Sequence, residues 1–140
     1  MLGLFRNKRV TIGEIRFFSL AYSFGCMANS NASYQLKWQD GGYVASVKPV
    51  NEPDENTKSI PVPDAFARGL ENILKAHRAD KWNGFQKYDK LICDGKSFTL
   101  SVIFQDKSSL NARGYMRWPK GYGEVKKEIV ALFETVLLSE

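Results

Sequence analysis

Few side chains in this sequence are of a type that could carry out chemistry, and they are scattered. The only histidine is His77, and the two cysteines are Cys26 and Cys93. One imidazole rules out a multi-histidine metal centre, and the cysteines and carboxylates show no ligand spacing, so no metal is expected. A cysteine nucleophile needs a base within reach and a third group to orient it. Cys93 precedes Asp94, whose charge opposes a thiolate, and neither cysteine belongs to a C-x-x-C pair. His77 closes an apolar helical stripe and reads as a helix-terminal or core-edge residue. Gly121-Tyr122-Gly123 precedes the last helical pattern, and helix N-termini attract anions. The full spacing of a dinucleotide fingerprint or a P-loop is missing, however. A helix entry bent by Pro119 and two glycines accounts for the same residues. No catalytic residue and no cofactor are assigned.

Binding chemistry is better represented. Arg113, Tyr115 and Arg117 alternate with Ala112, Gly114 and Met116, and Trp118 and Lys120 follow. On a strand the first three share one face. A basic–aromatic strip of this kind can stack bases and meet phosphates. Arginine stems lying over tyrosine rings on an ordinary sheet surface explain it more simply. Trp82 and Phe85 stand in an aperiodic connection, 79–96, where large aromatics either pin a long loop or line a groove. Trp82, Phe85, Arg113, Tyr115, Arg117 and Trp118 are the expected binding residues.

The elements that must position these residues are legible from periodicity. From Glu14 to Gly25, Phe18, Leu20, Tyr22 and Phe24 alternate with Phe17, Ser19, Ala21 and Ser23, which predicts a strand with one face on a core. Met27 to Ala32 reads as a turn. Tyr34, Leu36 and Trp38, then Asp40-Gly41-Gly42, then Tyr43, Ala45 and Val47 predict a hairpin. Asn51 to Ser59 reads as an exposed loop. Pro63 suits the start of a helix, and Phe66, Leu70, Ile73, Leu74 and His77 mark its buried stripe. Phe98 to Phe104 and Leu110 to Met116 predict a second hairpin around Gln105 to Ser108. Val125, Ile129, Leu132, Phe133, Val136 and Leu137 trace a last amphipathic helix. The order β-β-β-α-β-β-α predicts an α+β fold, with an antiparallel sheet of about five strands and both helices on one face. Residues 1–13 read as a flexible N-terminal segment and 14–140 as a single α+β domain.

Composition narrows the classes further. At 140 residues, with 44% hydrophobic side chains, the chain can bury one core without a staple. The net charge of +5 would weakly attract polyanions but is far from a nucleic-acid-binding tail. Glu14 and Arg16 interrupt the approach to the apolar run from Phe17 to Cys26, which argues against a signal peptide. No stretch reaches the roughly 18 apolar residues of a membrane span. A cytoplasmic location is expected, with free thiols and a chance sequon at Asn31-Ala32-Ser33.

Three motifs then stand out together: Trp82-Asn83-Gly84-Phe85, Asp94-Gly95-Lys96-Ser97-Phe98 and Gly114-Tyr115-Met116-Arg117-Trp118-Pro119. With Phe18-Ser19-Leu20 and Tyr22-Ser23 upstream, the chain resembles a family of small uncharacterised bacterial proteins with a W-x-G-F, D-G-x-S-F and G-Y-M-x-x-P layout. The resemblance runs from about Ile15 onward. It implies a complete bacterial domain and no particular activity, ligand or catalytic residue. The functional expectation is a non-enzymatic cytoplasmic module that binds a protein or peptide partner or itself, with no membrane role. A nucleic-acid binder using the Arg113–Trp118 strip ranks second, and an enzyme with a site near the 79–96 loop third.

Overall fold

Alternation of apolar with small polar side chains sets three neighbouring strands: β1 (Ile15–Ser23), β2 (Ala32–Gln39) and β3 (Gly42–Lys48). The computed structural model describes residues 10–23, 32–48, 57–89 and 96–137. Asp40 and Gly41 join β2 to β3 with φ of 55° and 81°. Positive φ at both central residues matches the right-handed twist of the flanking strands, so this short turn fixes the register of Trp38 opposite Tyr43. The expected turn at Met27 to Ala32 lies, except for Ala32, outside the described residues, as do Phe24, Cys26 and Cys93.

The sheet has seven strands, two more than the sequence pattern predicts. β4 (Lys58–Val62) pairs antiparallel with β3, and β5 (Gln86–Tyr88) pairs parallel with β7 (Ser109–Tyr115). With β6 (Ser97–Phe104) the order across the sheet is β4-β3-β2-β1-β6-β7-β5. Both additional strands are edges. β4 carries Pro61, which an edge tolerates, and β5 is three exposed residues with no buried alternation. β5 therefore carries no apolar signature of a strand, and β4 carries only a short one, Ile60 and Val62 around Pro61.

Helix α1 (Asp64–Ala76) starts after Pro63 and buries Phe66, Ala67, Leu70 and Leu74. Helix α2 (Tyr122–Leu137) buries Val125, Ile129 and Phe133. Both cover the same face of the sheet, and Phe133 is where they meet it. Its ring lies 6.1 Å from that of Phe18, 5.4 Å from Tyr34 and 5.1 Å from Phe66, the last two edge-on. Such offset and edge-on pairs add to the area buried by the rings themselves. His77 Nε2 lies 2.8 Å from Glu128 Oε2, tying the end of α1 to α2.

One buried charge organises the start of β1. Glu71 on α1 is 4% exposed and accepts the Ile15 N–H at 2.9 Å and Arg68 Nη2 at 2.8 Å. Arg68 also donates to the Tyr43 hydroxyl, which itself donates to the Ile15 carbonyl. A register shift between Ile15 and Phe17 accompanies this contact. Ile12 is buried and Val10 packs on the core, so the packed body begins ahead of Glu14.

Candidate functional site

The segment between Phe85 and Tyr122 decides where the predicted binding residues lie. Asn83 accepts the Asn111 N–H at 2.9 Å through its side-chain oxygen. Gly84, at φ 88°, sends its own N–H to the Asn111 carbonyl at 2.8 Å. The Phe85 carbonyl then accepts the Arg113 N–H at 2.9 Å. These bonds pin the connection along β7 and start β5. Trp82 is 5% exposed, and its Nε1–H donates to the Lys120 carbonyl at 3.2 Å. Phe85 is half-buried with its ring 6.2 Å from Phe98. Trp82 and Phe85 therefore anchor the loop.

The strip from Arg113 to Trp118 does not stay on one face. β7 ends at Tyr115, and Met116 takes φ 57°. The reversal brings the Arg117 backbone over Gly114, on the helix side of the sheet. Among the described residues no element covers the face of the sheet opposite the helices; on this uncovered face Arg113 is exposed and Tyr115 half-buried. Arg117 is exposed beyond the strand end. Trp118, 38% exposed, lies with its ring 6.5 Å from Tyr122 on α2. Only Arg113 and Tyr115 of the strip stand together.

Trp118 lines the principal groove. It has a volume of about 640 Å³ and runs along α2 beside the ends of β1 and β6. Tyr22, Trp118, Tyr122, Val130 and Ala131 supply its apolar wall. Lys96, Lys126, Lys127 and Glu134 supply its charges, three positive and one negative. Helical spacing explains the set: Lys126, Val130 and Glu134 are four apart, as are Lys127 and Ala131, so both rows face one way. Their row flanks the Val125-Ile129-Phe133 stripe that enters the core.

The electrostatics of the groove favour an anion. Lys126 Nζ lies 4.0 Å from the centroid of the Tyr22 ring, a cation–π contact. Burial, and then the nearby charge of Lys96, lower the Lys126 ammonium below its ordinary value. A negative group beside these two ammonium groups would counter the repulsion between them and favour the charged form of Lys126. Burial raises the Tyr122 phenol far above 10.0, so it stays a neutral hydroxyl. Among the described residues, no three His, Cys, Asp or Glu side chains gather as a metal site. In the same residues no helix is long and apolar enough to cross a membrane.

The sequence pattern pointed to Trp118 but missed Tyr22, Lys96, Lys126 and Val130. The only trace of the α2 row is Val130 standing beside, rather than on, the buried stripe. No protein-family model and no curated protein matches the chain.

Proposed function

We propose that the chain is a non-enzymatic cytoplasmic binding module that takes an acidic, apolar peptide segment of a protein partner into the groove beside α2. The observation that carries this reading is the pairing of an aromatic and aliphatic wall with three lysines at a groove of about 640 Å³. That volume falls in the usual range of roughly 300–1,000 Å³ for sites with an apolar lining and few polar groups. Apolar contact supplies the affinity, and the lysines supply preference for negative charge. Strand addition at a sheet edge is a weaker route. β4 carries Lys58 and Pro61, and β5 has three residues, so neither edge offers a long unpaired ladder.

A synthetic peptide alternating glutamate and phenylalanine tests the reading against a lysine-for-glutamate control. Amide chemical-shift changes should cluster at Ser97, Trp118, Lys126 and Val130 with the acidic peptide alone. Ala131→Trp, which fills the groove from an exposed helix position, should abolish them while the protein stays folded. Shifts dispersed over the surface, or equal shifts with the basic control, would remove the proposal.

A further inference from the structure

The face of the sheet opposite the helices has a charge distribution that its secondary structure does not account for. The described residues include ten carboxylates: Glu14, Asp40, Asp64, Glu71, Asp80, Asp89, Asp106, Glu124, Glu128 and Glu134. Every one lies in a helix, a turn or a connection, and none in the seven strands. The strands hold six cations, Arg16, Lys37, Lys48, Lys58, Lys87 and Arg113; register sets Lys37, Lys48 and Arg113 on the face away from the helices, while Lys58 pairs with Val47 and Lys87 with Gly114 on the helix side. Strands disfavour aspartate and glutamate, but they also disfavour lysine. Propensity and edge position account for the missing aspartates and for Lys58 and Lys87, but not for Lys37, Lys48 and Arg113 sharing one face without a carboxylate among the strand residues. A merely solvated face normally mixes both signs.

Register places the rest. Side chains of paired residues share a face, so Ser59, Ser46, Gln35, Ser19, Ser101 and Asn111 form one row across six strands of the uncovered face. The adjacent row runs from Lys48 through Ser33, Ala21 and Thr99 to Arg113. Lys48 and Arg113 are four strand spacings apart, about 19 Å at ~4.8 Å each. Two clefts lie on this face: one of about 490 Å³ holding Lys37 and Lys48, and one of about 320 Å³ holding Asn111 and Arg113. Beyond Arg113, Tyr115 pairs with Tyr88, which is 59% exposed.

We infer that this uncovered face binds single-stranded nucleic acid, laid across the strands from Lys48 to Tyr88. Lys37, Lys48 and Arg113 meet phosphates, the hydroxyl and amide row meets base edges, and Tyr88 and Tyr115 offer rings for stacking. A duplex would present phosphates only and leave the hydroxyl and amide row unmatched. An anionic membrane would match the charge and the row of Val44, Phe17 and Ile103, but like a duplex it would leave the hydroxyl and amide row unmatched. The surface lies across the sheet from the α2 groove and does not depend on it.

Fluorescence anisotropy of labelled oligothymidylate and oligouridylate with the full chain tests this inference. Three phosphate contacts predict that log K falls with log salt at a slope of about −2, from ~0.7 per contact, between about 50 and 200 mM. Lys48→Glu with Arg113→Glu should weaken binding at least about tenfold, and Tyr88→Ala, at a site of stacking, by about tenfold. Ala131→Trp in the α2 groove should leave it unchanged. Circular dichroism and melting checks show whether each variant is folded, and Arg113→Gln with Lys48→Gln gives a milder second pair. The inference is overturned if neither oligonucleotide binds at low salt, or if both charge pairs bind as the parent does. It is also overturned if duplex binds as tightly, or if phosphatidylglycerol vesicles bind where oligonucleotides do not.

Discussion

At the scale of single residues, Gly114 has the least freedom to change. A Cβ built on it would overlap the Arg117 carbonyl oxygen and come within 2.9 Å of Phe98 Cε1. The Arg117 oxygen is backbone, held by the reversal at Met116 and by the Met116 N–H bond to the Lys96 carbonyl. Neither neighbour can swing away cheaply. Gly114→Ala should cost about 3 kcal/mol, the upper end of ordinary overpacking. A matching fall in the urea midpoint, with the slope unchanged, checks it. The sequence alternation places this glycine opposite the Arg113 and Tyr115 face, but does not show the backbone that packs there. Trp82, equally visible in sequence, is a core anchor because its indole N–H finds the Lys120 carbonyl. Residue type alone could not tell this from an exposed binding aromatic.

At the scale of elements, the strands differ in how much holds them. β1 is flanked on both sides, by β2 and β6, and its Phe18 and Leu20 are buried under the helices. β5 has one neighbour, three residues and no buried side chain. Amide exchange tracks the free energy of local opening. The amides of Phe18 and Leu20 should exchange only through global unfolding, and those of β5 that bond to β7 at least about a hundredfold faster. Exchange of β5 at the rate of β1 would mean that the connection is held by more than the bonds described. β1, β2, β3, β6 and β7 were readable because a half-buried strand alternates. β4 and β5 were not, because an edge strand is defined by the neighbour that supplies its hydrogen bonds.

At the scale of the whole molecule, the aromatic core couples stability to alkaline pH. Burial, the larger cause in each case, raises the phenols of Tyr34 and Tyr122 well above the ordinary 10.0. Above pH 10 the unfolded chain releases these protons while the folded chain keeps them. The folded state then binds more protons, and stability falls as pH rises. Lys126 acts in the opposite sense over the range from its lowered value up to 10.5, where the unfolded chain holds the extra proton. Urea midpoints should fall once pH passes about 10, and Tyr122→Phe should flatten that fall. An equal slope in the variant would contradict the burial of that hydroxyl.

The sequence by itself determined the class of fold, five of the strands, both helices and the side of each that is buried. These follow from repeats of two and of 3.6 residues, which depend on near neighbours and are written in the chain directly. Only tertiary structure decided that Trp118 leaves the Arg113 face for the α2 groove, since one positive φ at Met116 reverses the chain. It likewise brought Lys96 and Lys126 to one groove and gathered Lys37, Lys48 and Arg113 on one face. Those residues are far apart in sequence, and what joins them is strand register and helix packing. No local pattern encodes either one.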